Sequence, residues 1–273
     1  MIPDYLKNDI KNCFVTKNIF SSFWQITIKV NDICPLHCVH CSHCNYQKPK
    51  SISPSVITRI LQLQRLHNIT KSILFTGGEP LLHPQIVNFM NEVSITGIPF
   101  DFNTSLCVKK NNVYELINAK PRCIRFSIHG YNKKEHNEFT RSDTWKNLIS
   151  NAEIVCSSSN RSYRVEINTS ISKQNFLNIP KKLKWLIRKF KPDDICLCPV
   201  FDHKELQLNI NDILLYYKSV LPEILDFCEG KTFIQLPYRA KGIFKPKKGL
   251  YISQEKESFS KCYAGRSHIF IYR

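Results

Sequence analysis

Cys34-Pro-Leu-His-Cys38-Val-His-Cys41 spaces three thiols as Cys-x-x-x-Cys-x-x-Cys on a loop that directly follows a β-like stretch. Three thiolates so arranged can hold three corners of an iron–sulfur cube and leave the fourth iron without a protein ligand. An open metal position admits an exogenous ligand, which is what a catalytic centre needs. A rival reading exists. Cys44 adds a thiol and His37, His40 and His43 add nitrogens, so a Cys/His zinc knot is conceivable. A zinc knot usually draws on two separated ligand pairs, and no matching second pair is seen. Taken alone, the spacing favours Cys34, Cys38 and Cys41 as ligands of a [4Fe–4S] cluster, with Cys44 outside the ligand set, and leaves a zinc site open.

Thr76-Gly77-Gly78-Glu79-Pro80 is the second motif. Its glycines permit backbone geometry and a close ligand approach that a Cβ would forbid. Pro80 stiffens the exit of the turn. Taken alone, this is an ordinary βα turn.

Both motifs need elements to position them. Strand-like segments fall at Phe23–Ile33, Lys71–Thr76, Pro99–Asn103, Cys123–Ile128, Arg164–Ile171 and Ile195–Val200. Helical spacing falls at Pro54–His67, Pro84–Ser94, Asn111–Ala119, Thr144–Cys156, Ile179–Phe190 and Asn211–Cys228. Ser53 is the expected N-cap of the first helix, before Pro54. A βα unit repeated about six times predicts an α/β fold with a parallel sheet covered by helices. Functional residues of such folds gather at the C-terminal ends of the strands, where both motifs lie.

The cysteine spacing and the Gly-Gly-Glu-Pro turn, in this order and one βα unit apart, resemble the radical S-adenosylmethionine (SAM) superfamily. The resemblance spans roughly Trp24 to Val200. The family position before the third cysteine is usually aromatic and is His40 here. The resemblance implies a partial (β/α)6 TIM-like barrel with parallel strands, a [4Fe–4S] cluster, and SAM chelating the open iron. It further implies reductive cleavage of the sulfonium to a 5′-deoxyadenosyl radical that abstracts a substrate hydrogen atom. Gly77, Gly78, Glu79 and Pro80 would contact the SAM amino group, with Asn103 in a turn near SAM. Ser127 would reach its ribose or carboxylate, and Arg141, in His136-Asn-Glu-Phe-Thr-Arg141, its carboxylate. His129 stands where the common pattern has Asp. An external one-electron donor such as flavodoxin or ferredoxin is expected.

Ser260-Lys-Cys262-Tyr-Ala-Gly265, leading into Ile269-Phe-Ile271, resembles the opening of the SPASM or twitch extension of that superfamily. Nothing follows Arg273, and Cys228 with Cys262 cannot complete a four-thiolate site. The expectation is an extension incomplete by truncation or degeneration. The chain then divides into a lead-in (1–22), the partial barrel (23–230) and a short irregular C-terminal extension (231–273). The tail tilts the substrate toward a peptide. Rivals are a small-molecule step in cofactor biosynthesis, tRNA modification, or a non-catalytic metal-binding protein.

Composition bounds these readings. The 273 residues are 42% apolar, enough for a substantial core. No run approaches the roughly 18 apolar residues of a membrane span, and the start lacks the apolar core of a signal peptide. A cytoplasmic address is expected, so the 12 cysteines read as metal ligands or buried thiols rather than disulfides. Cys196 and Cys198 are expected to point to opposite faces of the sixth strand, as buried thiols sharing no metal. The formal charge of +17 gives tRNA modification slight support. Its densest helical run, Lys181, Lys182, Lys184, Arg188, Lys189 and Lys191, reads as a solvated face and not a polyanion site.

Overall fold

The computed structural model describes residues 24–41, 48–157, 161–201, 203–227, 232–235, 250, 251 and 268–271. Their strands are β1 (Gln25–Lys29), β2 (Ile73–Thr76), β3 (Phe100–Thr104), β4 (Cys123–Ser127), β5 (Arg164–Ile171), β6 (Asp194–Pro199), β7 (Phe233–Gln235), β8 (Leu250–Tyr251) and β9 (His268–Ile271). The sheet runs in the order β8-β7-β6-β5-β4-β3-β2-β1-β9, and every neighbouring pair is parallel. β1 to β6 lie side by side in chain order, the succession of a partial TIM-like barrel. β9 adds a strand outside β1, with Gln25 opposite His268 and Ile28 opposite Ile271. The strand expected near Ile269 therefore forms, while β7 and β8 were not expected. Cys228, Cys262 and Gly265 of the extension lie outside the described residues, as does the lead-in.

Strand alternation separates two faces. In β5 the side chains of Val165, Ile167, Thr169 and Ile171 are fully buried toward the helices. Glu166 and Asn168 point to the opposite, concave face. At the N-terminal end of that face Arg125 bridges Glu166 at 3.0 Å and Asp101 at 3.1 Å, and Arg122 joins Asp101 at 2.7 Å. This ion network closes one end of the barrel. The other end is left to the motif loops.

The helices are α1 (Pro54–His67), α2 (Ile86–Ile95), α3 (Lys110–Asn118), α4 (Lys133–Thr140), α5 (Trp145–Ser157), α6 (Ile179–Phe190) and α7 (Ile210–Leu215). A π-turn at Tyr216–Val220 leads from α7 into α8 (Leu221–Phe227). Ser53 is the N-cap of α1, but its hydroxyl bonds the Ser55 hydroxyl and not the helix backbone. In α6, Ile179, Leu183, Leu186 and Phe190 form the buried stripe. Lys182 belongs to this inner face and is fully buried, contrary to the solvated reading of the lysine run. Helical periodicity puts residue 182 beside 179 and 186, so the run wraps around the helix. Among the described residues, no helix is long and apolar enough to cross a membrane.

Candidate cluster and cofactor site

The loop from Cys34 to Cys41 leaves the C-terminal end of β1 and is fastened to the end of α4. His37 donates its backbone N–H to Thr140 at 2.9 Å, and Val39 donates to Phe139 at 3.0 Å. The Ser142 hydroxyl donates to the Pro35 carbonyl at 3.2 Å. Cys38 is buried, and Cys34 and Cys41 are half-buried. Burial pushes the Cys34 thiol up to about 12 and Cys38 higher still, with neighbouring sulfurs adding to the rise. Such thiols stay protonated until a cation replaces the proton, so metal loading releases acid.

The Gly-Gly-Glu turn continues the β1–β2 ladder to the threshold of this loop. Val30 donates to Thr76 at 2.7 Å, Gly78 to Asn31 at 2.8 Å, and Glu79 to Ile33 at 2.6 Å. Gly77 has a φ of +149°, and a Cβ on it would lie 2.5 Å from the Asn31 carbonyl oxygen. A Cβ on Gly78 would run into the Ile33 carbonyl, 2.7 Å from its carbon. Both glycines are thus required by the chain's own backbone, beyond any ligand approach.

Glu79 is completely buried and caps the 3-10 turn that starts at Pro80. Its carboxylate accepts from the Leu81 N–H at 3.1 Å, the Thr104 hydroxyl at 2.8 Å, and the Ser105 N–H and hydroxyl at 2.6 and 2.5 Å. Burial raises its pKa, and these donors oppose the rise. The carboxylate's acceptor sites are taken, so a ligand amine would have to displace one of these donors.

The remaining candidates are distributed as follows. Asn103 and Ser127 lie half-buried at adjacent strand ends of the concave face. Asn103 Nδ2 reaches the Thr76 hydroxyl at 3.5 Å. Arg141 is exposed and serves as the left-handed C-cap of α4, with a φ of 49°. Among the described residues, the buried Asn31 Oδ1, His40 Nδ1 and Asn103 Oδ1 lack hydrogen-bond partners. These orphaned groups line the loop, the turn and the strand end, where a polar molecule would satisfy them. The three thiols suit a cluster and the orphaned atoms suit a polar cosubstrate. Among the described residues, no three His, Cys, Asp or Glu side chains converge as a cage for a metal ion. Cys44 and His43 fall outside the described residues.

Three features go beyond the sequence reading, which singles out His40 and His129 only one by one. Cys107, buried just past β3, is a further thiol beside Cys34 and Cys38, and burial pushes it up to about 11. A histidine group caps the concave face: His40 and His129 ring centroids are 5.2 Å apart, and His129 stacks on Phe139 at 4.9 Å. Lys182 Nζ donates to the His129 carbonyl at 2.8 Å and to the Thr169 hydroxyl at 3.2 Å, fixing the end of β4 from the helix side. The expectation for Cys196 and Cys198 is corrected. Residues two apart in a strand share a face, and their sulfurs lie 3.6 Å from each other.

A parallel αβ partial barrel with a three-thiol loop at its strand ends defines a class of iron–sulfur proteins. The family model of the radical SAM superfamily matches residues 28–170, just over half of the chain. The chain belongs to the radical SAM superfamily, whose cofactors are a [4Fe–4S] cluster and SAM. Similar solved structures carry the same fold. Streptococcus suis SuiB bound to SAM aligns with a TM-score of 0.66 at 20% identity, over 85% of this chain and 55% of that one. anSMEcpe with bound SAM aligns with a TM-score of 0.59 at 18% identity, over 75% and 58%. Methylornithine synthase (PylB) gives 0.55 at 11% identity, over 78% and 65%. The chain thus spans little more than half the length of the first of these. No curated protein sequence matches it.

Proposed function

We propose that this chain is a radical SAM enzyme that holds its [4Fe–4S] cluster through Cys34, Cys38 and Cys41 and takes a hydrogen atom from a peptide substrate. The observation that carries the reading is the joint between the two motifs. The Glu79 N–H meets the Ile33 carbonyl at 2.6 Å, one residue before Cys34. Thiol loop and Gly-Gly-Glu turn therefore form a single rigid ledge above the strand ends. When bound, the cluster and SAM supply a reductively generated carbon radical.

The chain's own residues bind, orient and shield. Cys34, Cys38 and Cys41 would hold the cluster as thiolates, their protons released to solvent on loading. Gly77 and Gly78 bring main chain rather than side chains to the ledge, and Glu79 and Pro80 fix its far end. Asn103 offers an unpaired carbonyl oxygen and Ser127 a hydroxyl to the polar groups of SAM. Arg141 offers a guanidinium for its carboxylate from the cap of the helix that anchors the thiol loop. A one-electron carrier such as flavodoxin or ferredoxin would deliver the reducing electron.

The peptide reading is supported by the kinds of complex known for similar folds. SuiB has been captured with its precursor peptide SuiA and anSMEcpe with the Kp18Cys peptide. Likeness to methylornithine synthase favours a small-molecule substrate as the second reading. The test is anaerobic: reconstitution with iron and sulfide, addition of dithionite and SAM, and quantification of 5′-deoxyadenosine beside Cys38→Ala. Product from the wild type alone is expected. A full cluster complement without product would overturn the catalytic reading in favour of a metal-binding protein.

A further inference from the structure

The Cys196–Cys198 pair is a built feature of the concave face. β6 sets Cys196 beside Asn168 and Cys198 beside Ser170 of β5. The Ser170 hydroxyl lies 3.4 Å from His40 Nε2, and His40 sits between Cys38 and Cys41. The dithiol therefore faces the underside of the thiol loop. Its sulfurs are 3.6 Å apart and half-buried, whereas Ile195 and Leu197 on the helix side of the same strand are fully buried. Access is from within the barrel. The neighbouring side chains of this face, Thr76, Asn103, Ser127, Asn168 and Ser170, are hydroxyls and amides.

We propose that the Cys196–Cys198 dithiol returns a hydrogen atom to the substrate radical and so ends the radical reaction without a net loss of hydrogen from the substrate. This rests on the radical reading above. A thiol S–H bond is weaker than an aliphatic C–H bond, whereas the O–H and N–H bonds of the neighbouring side chains are stronger. Carbon radicals therefore take hydrogen from sulfur. In the step the S–H bond breaks, the substrate C–H bond forms, and sulfur keeps the unpaired electron.

The second sulfur stands close enough to share that electron as a disulfide radical anion when it is a thiolate. One sulfur hydrogen-bonds the other, so loss of a proton from either thiol is stabilised by its neighbour. The sulfur that gives up its hydrogen and the one that shares the electron are thus held in contact before the step. Passing the extra electron to an oxidised iron–sulfur or flavin carrier leaves a Cys196–Cys198 disulfide. A thiol reductant restores the pair.

The test combines two readouts on the whole chain. In the first, reconstituted protein, SAM and dithionite react in D2O without added thiol or substrate, so that the 5′-deoxyadenosyl radical stands in for the substrate radical and the exchangeable S–D is the deuterium source. Mass spectrometry then follows deuterium in 5′-deoxyadenosine and the oxidation state of the single tryptic peptide Phe190–Lys204. Wild type is expected to give labelled product and an oxidised peptide. The Cys196→Ala/Cys198→Ala variant is expected to give product whose label falls to background. In the second readout, pulse radiolysis of metal-free protein with isopropanol generates carbon radicals, and the visible absorption of a disulfide radical anion is expected in wild type and absent in the variant. Equal labelling in both proteins, or no anion in the wild type, overturns the donor role alone. Absence of 5′-deoxyadenosine from the wild type removes the radical source and overturns both readings.

Discussion

Ser105 closes on Glu79 twice, with its backbone N–H 2.6 Å and its hydroxyl 2.5 Å from the same carboxylate oxygen. Glu79 meanwhile holds Ile33 through its own N–H. One residue thus ties the end of β3, through its buried carboxylate, to the entrance of the thiol loop, through its backbone N–H.

Glu79→Ala removes the acceptor and strands four donor contacts in a dry site. A loss of about 3 kcal/mol is expected in urea unfolding of the metal-free protein. Ser105→Ala removes a single hydroxyl donor and should cost about 1 kcal/mol. Equal costs would show that Glu79 does not organise the site.

Gly78→Ala pushes a methyl into the Ile33 carbonyl. Because the collision is with backbone, no side-chain rotation relieves it, and the start of the thiol loop must move. Iron bound per chain after reconstitution should fall severalfold while circular dichroism keeps its helical signal. Undiminished iron loading would refute this.

Cys34→Ala, Cys38→Ala and Cys41→Ala should each lose the cluster absorption of the reconstituted protein. Cys44→Ala should keep it. Loss in the Cys44 variant instead would point to a different ligand set.

His136 is buried against Trp145 and held neutral, its pKa lowered by burial from 6.5 to about 4. The unfolded chain binds a proton here that the folded chain refuses. Stability is therefore complete above about pH 6.5 and is lost as pH falls toward about 4, by about 3 kcal/mol from this group. His136→Gln should flatten that part of the profile of unfolding free energy against pH.

Lys182 shows the opposite economy of a buried base, its pKa brought down by burial to about 8. Below that pH the fold must carry an enclosed charge, held by two neutral acceptors. Lys182→Met should be close to neutral in stability at pH 7, while Lys182→Ala should cost about 2–4 kcal/mol through its cavity. A large loss in the Met variant would mean that the bonds to His129 and Thr169 outweigh desolvation.

Much of this was legible from residue pattern alone. The bounds of β5, α1 and α6 coincide with the strand and helix periodicities, because each presents a long apolar stripe to one core. α4 was not, since its eight residues bury only His136, Phe139 and Thr140 and its start depends on the Asn132 side chain. Cysteine spacing revealed the thiol loop, which is local in sequence. Cys107, His129 and Lys182 join the site from separate strands and helices, and no spacing rule links them. The misjudged faces of Cys196 and Cys198 came from the strand period itself, which is two.

The strand that begins the barrel is paired on one side by β2 and on the other by β9, the last described segment. During synthesis the second neighbour of β1 follows it by some 240 residues (Gln25 to His268). Until then one edge of β1 offers free N–H and C=O groups beside the thiol loop. The foundation of the metal site is therefore completed late, a long-range closure that slows folding.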